Sequence, residues 1–142
     1  MKRFVLDASV ALKWASTANE TLSAESVELL RQYVNGEVDF LVPDIFWAEV
    51  ANVLWKKSRQ GRSSQAIAEQ VAAEMQARAF PTTPSRDLMK VALRIAFAYN
   101  RAVYDCLYLA LAIQTGSQMI TADERLANSV AAYLPVKWLG AL

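Results

Sequence analysis

The sequence predicts an α/β protein with a short, mostly parallel central sheet flanked by helices. Three short apolar runs without polar alternation, at 4–6, 40–42 and 119–120, are typical of strands that are covered on both faces. Longer segments with apolar residues at three- to four-residue spacing separate these runs, as in amphipathic helices. Strands that alternate with helices favour a parallel sheet with right-handed crossovers.

Most predicted elements have a local signal at one end. Gly36 ends the helix that begins near residue 21, because glycine readily adopts the left-handed conformation after a helix. Pro43 ends the second strand, Pro84 marks a helix start, and Gly116 ends the helix before the third strand. In chain order the predicted elements are a strand at 4–6, helices at 9–15 and from about 21, a strand at 40–42, helices at 45–57, around 67–75, at 88–99 and at 104–114, a strand at 119–120, a last helix and a strand at 136–139.

Three of these helices have an apolar stripe that predicts their buried face. The stripes comprise Val27, Leu30 and Val34 in the first, Ile67, Val71 and Met75 in the second, and Leu88, Ala92, Ile95 and Tyr99 in the third.

Composition limits the possible classes of protein. With 142 residues, 54% of them hydrophobic, the chain suits one domain over 1–142 with a substantial core. Cys106 is the single cysteine, which excludes an internal disulfide and fits a reducing compartment. No uncharged apolar run approaches the ~18 residues of a membrane-spanning helix, and Asp7 and Lys13 interrupt any signal peptide. We therefore expect a cytoplasmic protein without a membrane partner.

The missing residue types exclude several kinds of catalysis. The chain contains no histidine, which removes a Ser-His-Asp triad, a histidine general base and a histidine-containing zinc site. One cysteine cannot build a thiolate metal cage. The two glycine-rich phosphate-binding motifs, GxGxxG and GxxxxGK followed by Ser or Thr, do not occur in the sequence. The side chains that remain for catalysis are mainly carboxylates.

Four carboxylates occur where a parallel sheet would gather them at one edge. Strand ends and the starts of the following helices share the carboxyl edge of such a sheet. Two charges ~4 Å apart repel by about 4 kcal/mol at an effective dielectric constant of ~20, so protons or cations must compensate. An all-oxygen ligand set favours Mg²⁺ or Mn²⁺, and such a site suits phosphodiester hydrolysis. The four are Asp7, Glu49, Asp105 and Asp123.

Each of these acids also has an ordinary structural interpretation. Asp7 and Asp123 can be turn residues or helix N-caps. Asp105 can stabilise the start of its helix through the helix dipole, and Glu49 can be partly exposed at a helix start. Their shared position favours the functional interpretation.

Four segments, LDASV, PDIFWAEVANVL, YDCLYLALA and TADERL, resemble in order the motifs of the PIN-domain ribonucleases. The resemblance is strongest to the VapC-type toxins of bacterial and archaeal toxin–antitoxin pairs, and it covers practically the whole chain. It implies a single PIN-like domain with metal-dependent endoribonuclease activity. An RNA substrate, a cognate antitoxin and a homodimer are the partners that it implies.

The resemblance also assigns site residues. Ser9 and Thr121 match hydroxyl positions beside the acids, with helix capping or a strand-end turn as the alternative. Asn52 follows Glu49 by three residues and shares its helix face, where it would orient a ligand or water or would simply be exposed. The family's acidic quartet, which holds Mg²⁺ or Mn²⁺ for RNA cleavage, is matched by Asp7, Glu49, Asp105 and Asp123.

Other interpretations stay open beside the toxin. One is an inert PIN fold that binds RNA or a partner without cutting, and another is a housekeeping nuclease. The intact quartet favours an enzyme. Trp14 and Trp47 are candidates for the rim of an antitoxin groove, with the hydrophobic core as the alternative. Four cations are suited to contact phosphate groups, and the alternative is that they lie at a solvated helix end. These cations are Lys56, Lys57, Arg59 and Arg62.

Overall fold

The computed structural model describes residues 1–15 and 21–142, which form helices around one parallel sheet. The strands are β1 (Lys2–Leu6), β2 (Val38–Pro43), β3 (Thr82–Thr83), β4 (Gln118–Thr121) and β5 (Val136–Trp138). The helices are α1 (Ala8–Trp14), α2 (Ser23–Val34), α3 (Ile45–Arg59), α4 (Gln65–Ala77), α5 (Ser85–Tyr99), α6 (Val103–Thr115) and α7 (Glu124–Val130), followed by a 3₁₀ turn at Leu139–Ala141. The strand order is β3-β2-β1-β4-β5, and every neighbouring pair is parallel. The predicted α/β fold class is therefore confirmed.

The central strand β1 places Asp7 at the carboxyl edge of the sheet. Phe4, Val5 and Leu6 are all buried, as the apolar run predicts. On one side Val5 is in register with Leu41 of β2, and on the other side Leu6 is in register with Ile120 of β4. The Asp7 amide donates to the Ile120 carbonyl over 3.1 Å, so Asp7 continues the pairing one residue beyond the strand.

Helix α6 brings a further acid to the same edge. Its residues from Cys106 to Ala112 are all buried, and a helix that is apolar all round belongs inside a protein. Because α6 leads into the parallel strand β4, its first turn lies at the carboxyl edge and its last turn at the amino edge. Asp105 is in that first turn.

In the ranges 1–15 and 21–142, no helix is long and apolar enough to cross a membrane.

The structure corrects the predicted buried face of α2. Val27 and Val34 are 60% and 68% exposed, whereas Ser26 and Leu29 are buried. The Ser26 hydroxyl donates to the Ser23 carbonyl over 2.8 Å, which satisfies this polar group inside the protein. Apolar spacing alone does not distinguish two helix faces that are offset by one residue.

Strand β3 was missed by the sequence interpretation. It consists of Thr82 and Thr83 only, paired in register with Val42 and Pro43. Two residues are too few to form an apolar run, and their pairing depends on the position of β2. Helix α5 then begins at Ser85, as the Pro84 signal predicts.

The two candidate rim tryptophans pack against the core. The Trp14 indole donates to the Ser26 carbonyl over 2.8 Å, and its ring lies 5.8 Å from the ring of Phe40. The Trp47 indole donates to the Thr82 hydroxyl over 3.0 Å, and its ring stacks on Phe80 at 6.1 Å. These contacts favour the core interpretation of both side chains.

Candidate active site

Asp7 is held by two hydroxyl groups from different elements. Its Oδ2 atom accepts hydrogen bonds from Ser9 Oγ over 2.7 Å and from Thr121 Oγ1 over 2.8 Å. Each hydroxyl oxygen in turn accepts a backbone N–H, from Ala122 to Ser9 at 3.1 Å and from Asp123 to Thr121 at 3.0 Å. This network joins the end of β1, the start of α1 and the end of β4, and it fixes the orientation of the Asp7 carboxylate.

Glu49 is positioned by a buried tyrosine. Tyr108 is 1% exposed, and its phenol donates to Glu49 Oε1 over 2.5 Å. Burial raises the pKa of Tyr108, and the charges of Asp7 and Glu49 raise it further, so the phenol keeps its proton and remains a donor. The sequence interpretation did not identify Tyr108. The available signal was a hydroxyl within the apolar segment YDCLYLALA, since a buried tyrosine hydroxyl needs a partner.

Asp105 faces an arginine one turn before it. Arg101 Nη2 lies 3.6 Å from Asp105 Oδ2, so the two groups form an ion pair beyond ordinary hydrogen-bond distance. The Nε atom of Arg101 is buried and has no hydrogen-bond partner among the described residues. The sequence interpretation did not identify Arg101, because its spacing from Asp105 alone does not indicate an ion pair.

Asp123 and Asn52 have more exposed positions. Asp123 Oδ1 accepts the backbone N–H of Leu126 over 3.1 Å, which is the N-cap contact of α7. Capping uses one of the two carboxylate oxygens. Asn52 is exposed one turn beyond Glu49 on α3, and its side chain forms no hydrogen bond with residues 1–15 or 21–142. The structure thus gives Asp123 a capping role and gives Asn52 no contact that favours a site role.

The four acids are close enough to perturb one another. Burial is the largest cause of a raised pKa at Asp7, at Glu49 and at Asp105. The charge of Asp105 also raises the pKa of Asp7, and both of these charges raise the pKa of Glu49. At Asp105 the Arg101 guanidinium lowers the pKa, and Asp123 raises it. When all of these carboxylates are ionised, their mutual repulsion therefore destabilises the folded protein.

The chemistry of this donor set fits a hard divalent cation, although the side chains do not converge on one point. The acids offer only oxygen ligands, which suit Mg²⁺ or Mn²⁺. In the described part of the chain, no three carboxylate or thiol side chains lie close enough together to hold a metal ion. A bound cation would therefore have to draw the carboxylates inward, and it would relieve the repulsion that adds to burial in raising the pKa values of Asp7, Glu49 and Asp105.

Most of the chain matches a known protein family. The family described as the PIN domain matches residues 4–131, and the chain belongs to the PIN-domain family. Ribonuclease VapC3 from Pyrobaculum aerophilum is 32% identical over 91 residues, which cover 63% of this chain and 70% of that protein. The resemblance to PIN-domain ribonucleases of the VapC type is thereby confirmed.

Two solved structures share the fold. PAE2754 from Pyrobaculum aerophilum superposes with a TM-score of 0.68 at 20% identity, covering 98% of this chain and 85% of its own. A toxin–antitoxin complex from Klebsiella pneumoniae has a TM-score of 0.64 at 16% identity, covering 94% of this chain and 95% of that chain. At these identities the likeness shows the fold.

The raised carboxyl pKa values predict how the stability of the metal-free protein depends on pH. A folded-state pKa above the ordinary value of 3.8 means that the folded state binds the proton of Asp7 more tightly than the unfolded chain does. The tighter proton binding adds to the free energy of unfolding. This added stability is fully present below the ordinary pKa and is lost as the pH rises through the raised pKa. Asparagine mimics the protonated form, so Asp7→Asn should become more stable relative to the wild type as the pH increases.

Thermal unfolding followed by circular dichroism in EDTA, from about pH 4 to about pH 8, measures this difference. We expect the gap in Tm between Asp7→Asn and the wild type to widen with pH. A gap that stays constant over this range would show that Asp7 titrates alike in the folded and unfolded states.

Proposed function

We propose that the chain is a metal-dependent endoribonuclease and the toxin of a toxin–antitoxin pair. The observation that carries this proposal is the position of four carboxylates at the carboxyl edge of a PIN-domain sheet, near enough for their charges to interact. The name of the relative, Ribonuclease VapC3, supports the activity, and the Klebsiella pneumoniae toxin–antitoxin complex supports the biological role. The proposed residues are Asp7, Glu49, Asp105 and Asp123 as metal ligands, with Ser9, Thr121 and Asn52 as auxiliary groups.

The side chains at this edge of the sheet have different roles in the proposed reaction. Ser9 and Thr121 hold Asp7 in one orientation, and Tyr108 does the same for Glu49. Mg²⁺ or Mn²⁺ held by the quartet would supply Lewis-acid catalysis of phosphodiester hydrolysis. Because the chain has no histidine, proton transfer from the attacking water cannot use an imidazole. Asp123 is the exposed member of the quartet, so it is the carboxylate that is most accessible from solvent.

The proposed domain spans 1–142 and the proposed location is the cytoplasm. The family match ends at residue 131, but β5 lies beyond that point and pairs with β4 in the same sheet. The final strand thus belongs to the same structural unit as Asp7 and Thr121.

The proposed protein partners are an antitoxin and a second copy of the chain. Helix α5 supports a homodimer, because three apolar side chains at four-residue spacing are exposed on one of its faces. Contiguous exposed apolar surface is typical of protein interfaces. The three are Met89 at 62%, Leu93 at 48% and Phe97 at 83% exposure.

Cleavage with and without metal tests the enzymatic proposal. We expect purified protein to cut single-stranded or structured RNA in Mg²⁺ or Mn²⁺, to stop in excess EDTA, and to recover when the metal is restored. Gel analysis of end-labelled RNA measures the cuts, and circular dichroism verifies that EDTA leaves the fold intact. Unchanged cleavage in EDTA would refute the metal dependence. A folded protein that binds RNA but never cuts it would favour the inert binding module.

A further inference from the structure

Tyr108 engages one oxygen of Glu49 and leaves the other one to an outside ligand. Its phenol donates to Oε1 over 2.5 Å, whereas Oε2 accepts no hydrogen bond within the ranges 1–15 and 21–142. Tyr108 is 1% exposed and lies among the buried residues of α6, so packing fixes its ring and water does not compete for its hydroxyl. The Glu49 carboxylate is therefore held by a rigid donor through one of its two oxygen atoms.

The other three acids also have one oxygen that faces a donor of the protein. Oδ2 of Asp7 accepts two hydroxyl groups, which use both lone pairs of that oxygen. Oδ1 of Asp123 accepts a backbone N–H at the start of α7, and Oδ2 of Asp105 lies 3.6 Å from a guanidinium nitrogen. Each carboxylate thus retains one oxygen that is the better ligand for a cation.

The number of oxygens that a carboxylate offers distinguishes one divalent cation from another. Ca²⁺ takes about six to eight oxygen ligands and is often bound by both oxygens of one carboxylate. Mg²⁺ is smaller, demands an octahedral arrangement with shorter bonds, and keeps water beside one or two carboxylates. Mn²⁺ also accepts octahedral oxygen ligands. Carboxylates that are restricted to one oxygen each therefore suit Mg²⁺ and Mn²⁺ better than Ca²⁺.

We infer that Tyr108 is a specificity-determining residue for the metal ion, because it holds Glu49 through Oε1, restricts this carboxylate to one oxygen ligand and so disfavours Ca²⁺. This inference rests on the proposed metal site and specifies what selects its ion. Tyr108 is the donor that can be removed most cleanly. Its hydroxyl serves Glu49, whereas the hydroxyl groups of Ser9 and Thr121 also accept backbone N–H groups.

Competition between Mn²⁺ and Ca²⁺ tests the inference without RNA. The electron paramagnetic resonance signal of free Mn²⁺ gives the Kd of the protein for Mn²⁺, and Ca²⁺ added as a competitor gives the Kd for Ca²⁺. The wild type should bind Mn²⁺ more tightly than Ca²⁺. Tyr108→Phe should lower the ratio of the Ca²⁺ Kd to the Mn²⁺ Kd by about 10-fold or more, because loss of a group that orients a metal ligand typically changes affinity about 10- to 100-fold and Glu49 becomes free to offer both oxygens to Ca²⁺.

Three further variants separate an effect through Glu49 from general damage. A glutamine side chain has a single oxygen, so in a Glu49→Gln background Tyr108→Phe should leave the ratio unchanged within about twofold. Glu49→Asp shortens the side chain, withdraws the carboxylate from the phenol without altering the core, and should lower the ratio as Tyr108→Phe does. Tyr33→Phe is the matched control, because its hydroxyl donates to the Arg78 carbonyl over 3.4 Å from the last turn of α2, at the amino edge of the sheet. Circular dichroism verifies that all variants fold.

The outcomes distinguish the selectivity role of Tyr108 from the proposed nuclease. A purely structural role would weaken the binding of Mn²⁺ and Ca²⁺ equally. An unchanged ratio in folded Tyr108→Phe, or in Glu49→Asp, would overturn the inference and leave the metal-dependent nuclease standing, since the wild type still binds Mn²⁺. The expected ratios in a protein that never cuts RNA would support the role of Tyr108 and refute the nuclease. Folded wild type that binds neither ion would overturn the inference together with the metal dependence.

Discussion

Asp7→Asn is expected to reduce RNA cleavage at least about a hundredfold while the fold stays intact. Replacing groups that merely orient metal ligands typically costs 10- to 100-fold in activity or metal affinity, so the loss of a ligand itself should cost at least as much. The asparagine side chain has nearly the same shape, and its amide oxygen can still accept the hydrogen bonds of Ser9 and Thr121. Initial rates on labelled RNA measure the effect.

A matched amide substitution distinguishes this loss from general damage. Asp39 lies on β2 away from the carboxyl edge, opposite Arg3 of β1, and its carboxylate accepts the neighbouring Phe40 N–H. Asp39→Asn should therefore cut at nearly the wild-type rate. Asp105→Asn should behave like Asp7→Asn. Wild-type turnover in both Asp7→Asn and Asp105→Asn would show that the metal-site assignment is wrong.

Expression of the chain without an antitoxin is expected to arrest the growth of its host. A ribonuclease that is active in the cytoplasm removes RNA that the cell needs, so viable counts should fall sharply after induction. The Asp7→Asn variant, which keeps the fold and loses the proposed activity, should leave growth normal. Plating after induction measures both strains.

The complementary experiment is co-expression with any small gene that adjoins the gene for this chain. Restored growth with wild-type protein present would identify that gene product as the antitoxin. Unimpaired growth despite soluble and RNA-cleaving protein would remove the toxin role and leave a housekeeping nuclease as the better interpretation.

The sequence predicted the parallel sheet and the position of Asp7 and Asp123 at its carboxyl edge because both depend on strong local patterns, whereas the expected convergence of four carboxylates on one point is absent among the described residues. The runs at 4–6, 40–42 and 119–120 are buried in adjacent parallel strands, and parallel order alone brings the ends of β1 and β4 together. Asp7 follows the end of β1 directly, and Asp123 lies two residues beyond the end of β4. The helix positions of Glu49 and Asp105 are set by the same alternation of strand and helix.

Features that depend on long-range packing could not be predicted in this way. Tyr108 meets Glu49 across 59 residues of sequence, and no local pattern specifies that pairing. The face of α2 that is buried was assigned one residue out of register, because its apolar residues occur on more than one side. The incomplete ion pair of Arg101 likewise depends on how the chain turns between α5 and α6.

The hydrogen bond from Thr121 to Asp7 links two residues that are 114 positions apart. During synthesis, Asp7 leaves the ribosome 114 residues before Thr121. Until β4 pairs with β1, Asp7 lacks the Thr121 hydroxyl, and Asp123 has no place at the edge. A growing polypeptide, or one cut short before β4, therefore cannot assemble the four acids. A translating ribosome therefore presents the full set of four acids only after β4 has emerged and paired with β1.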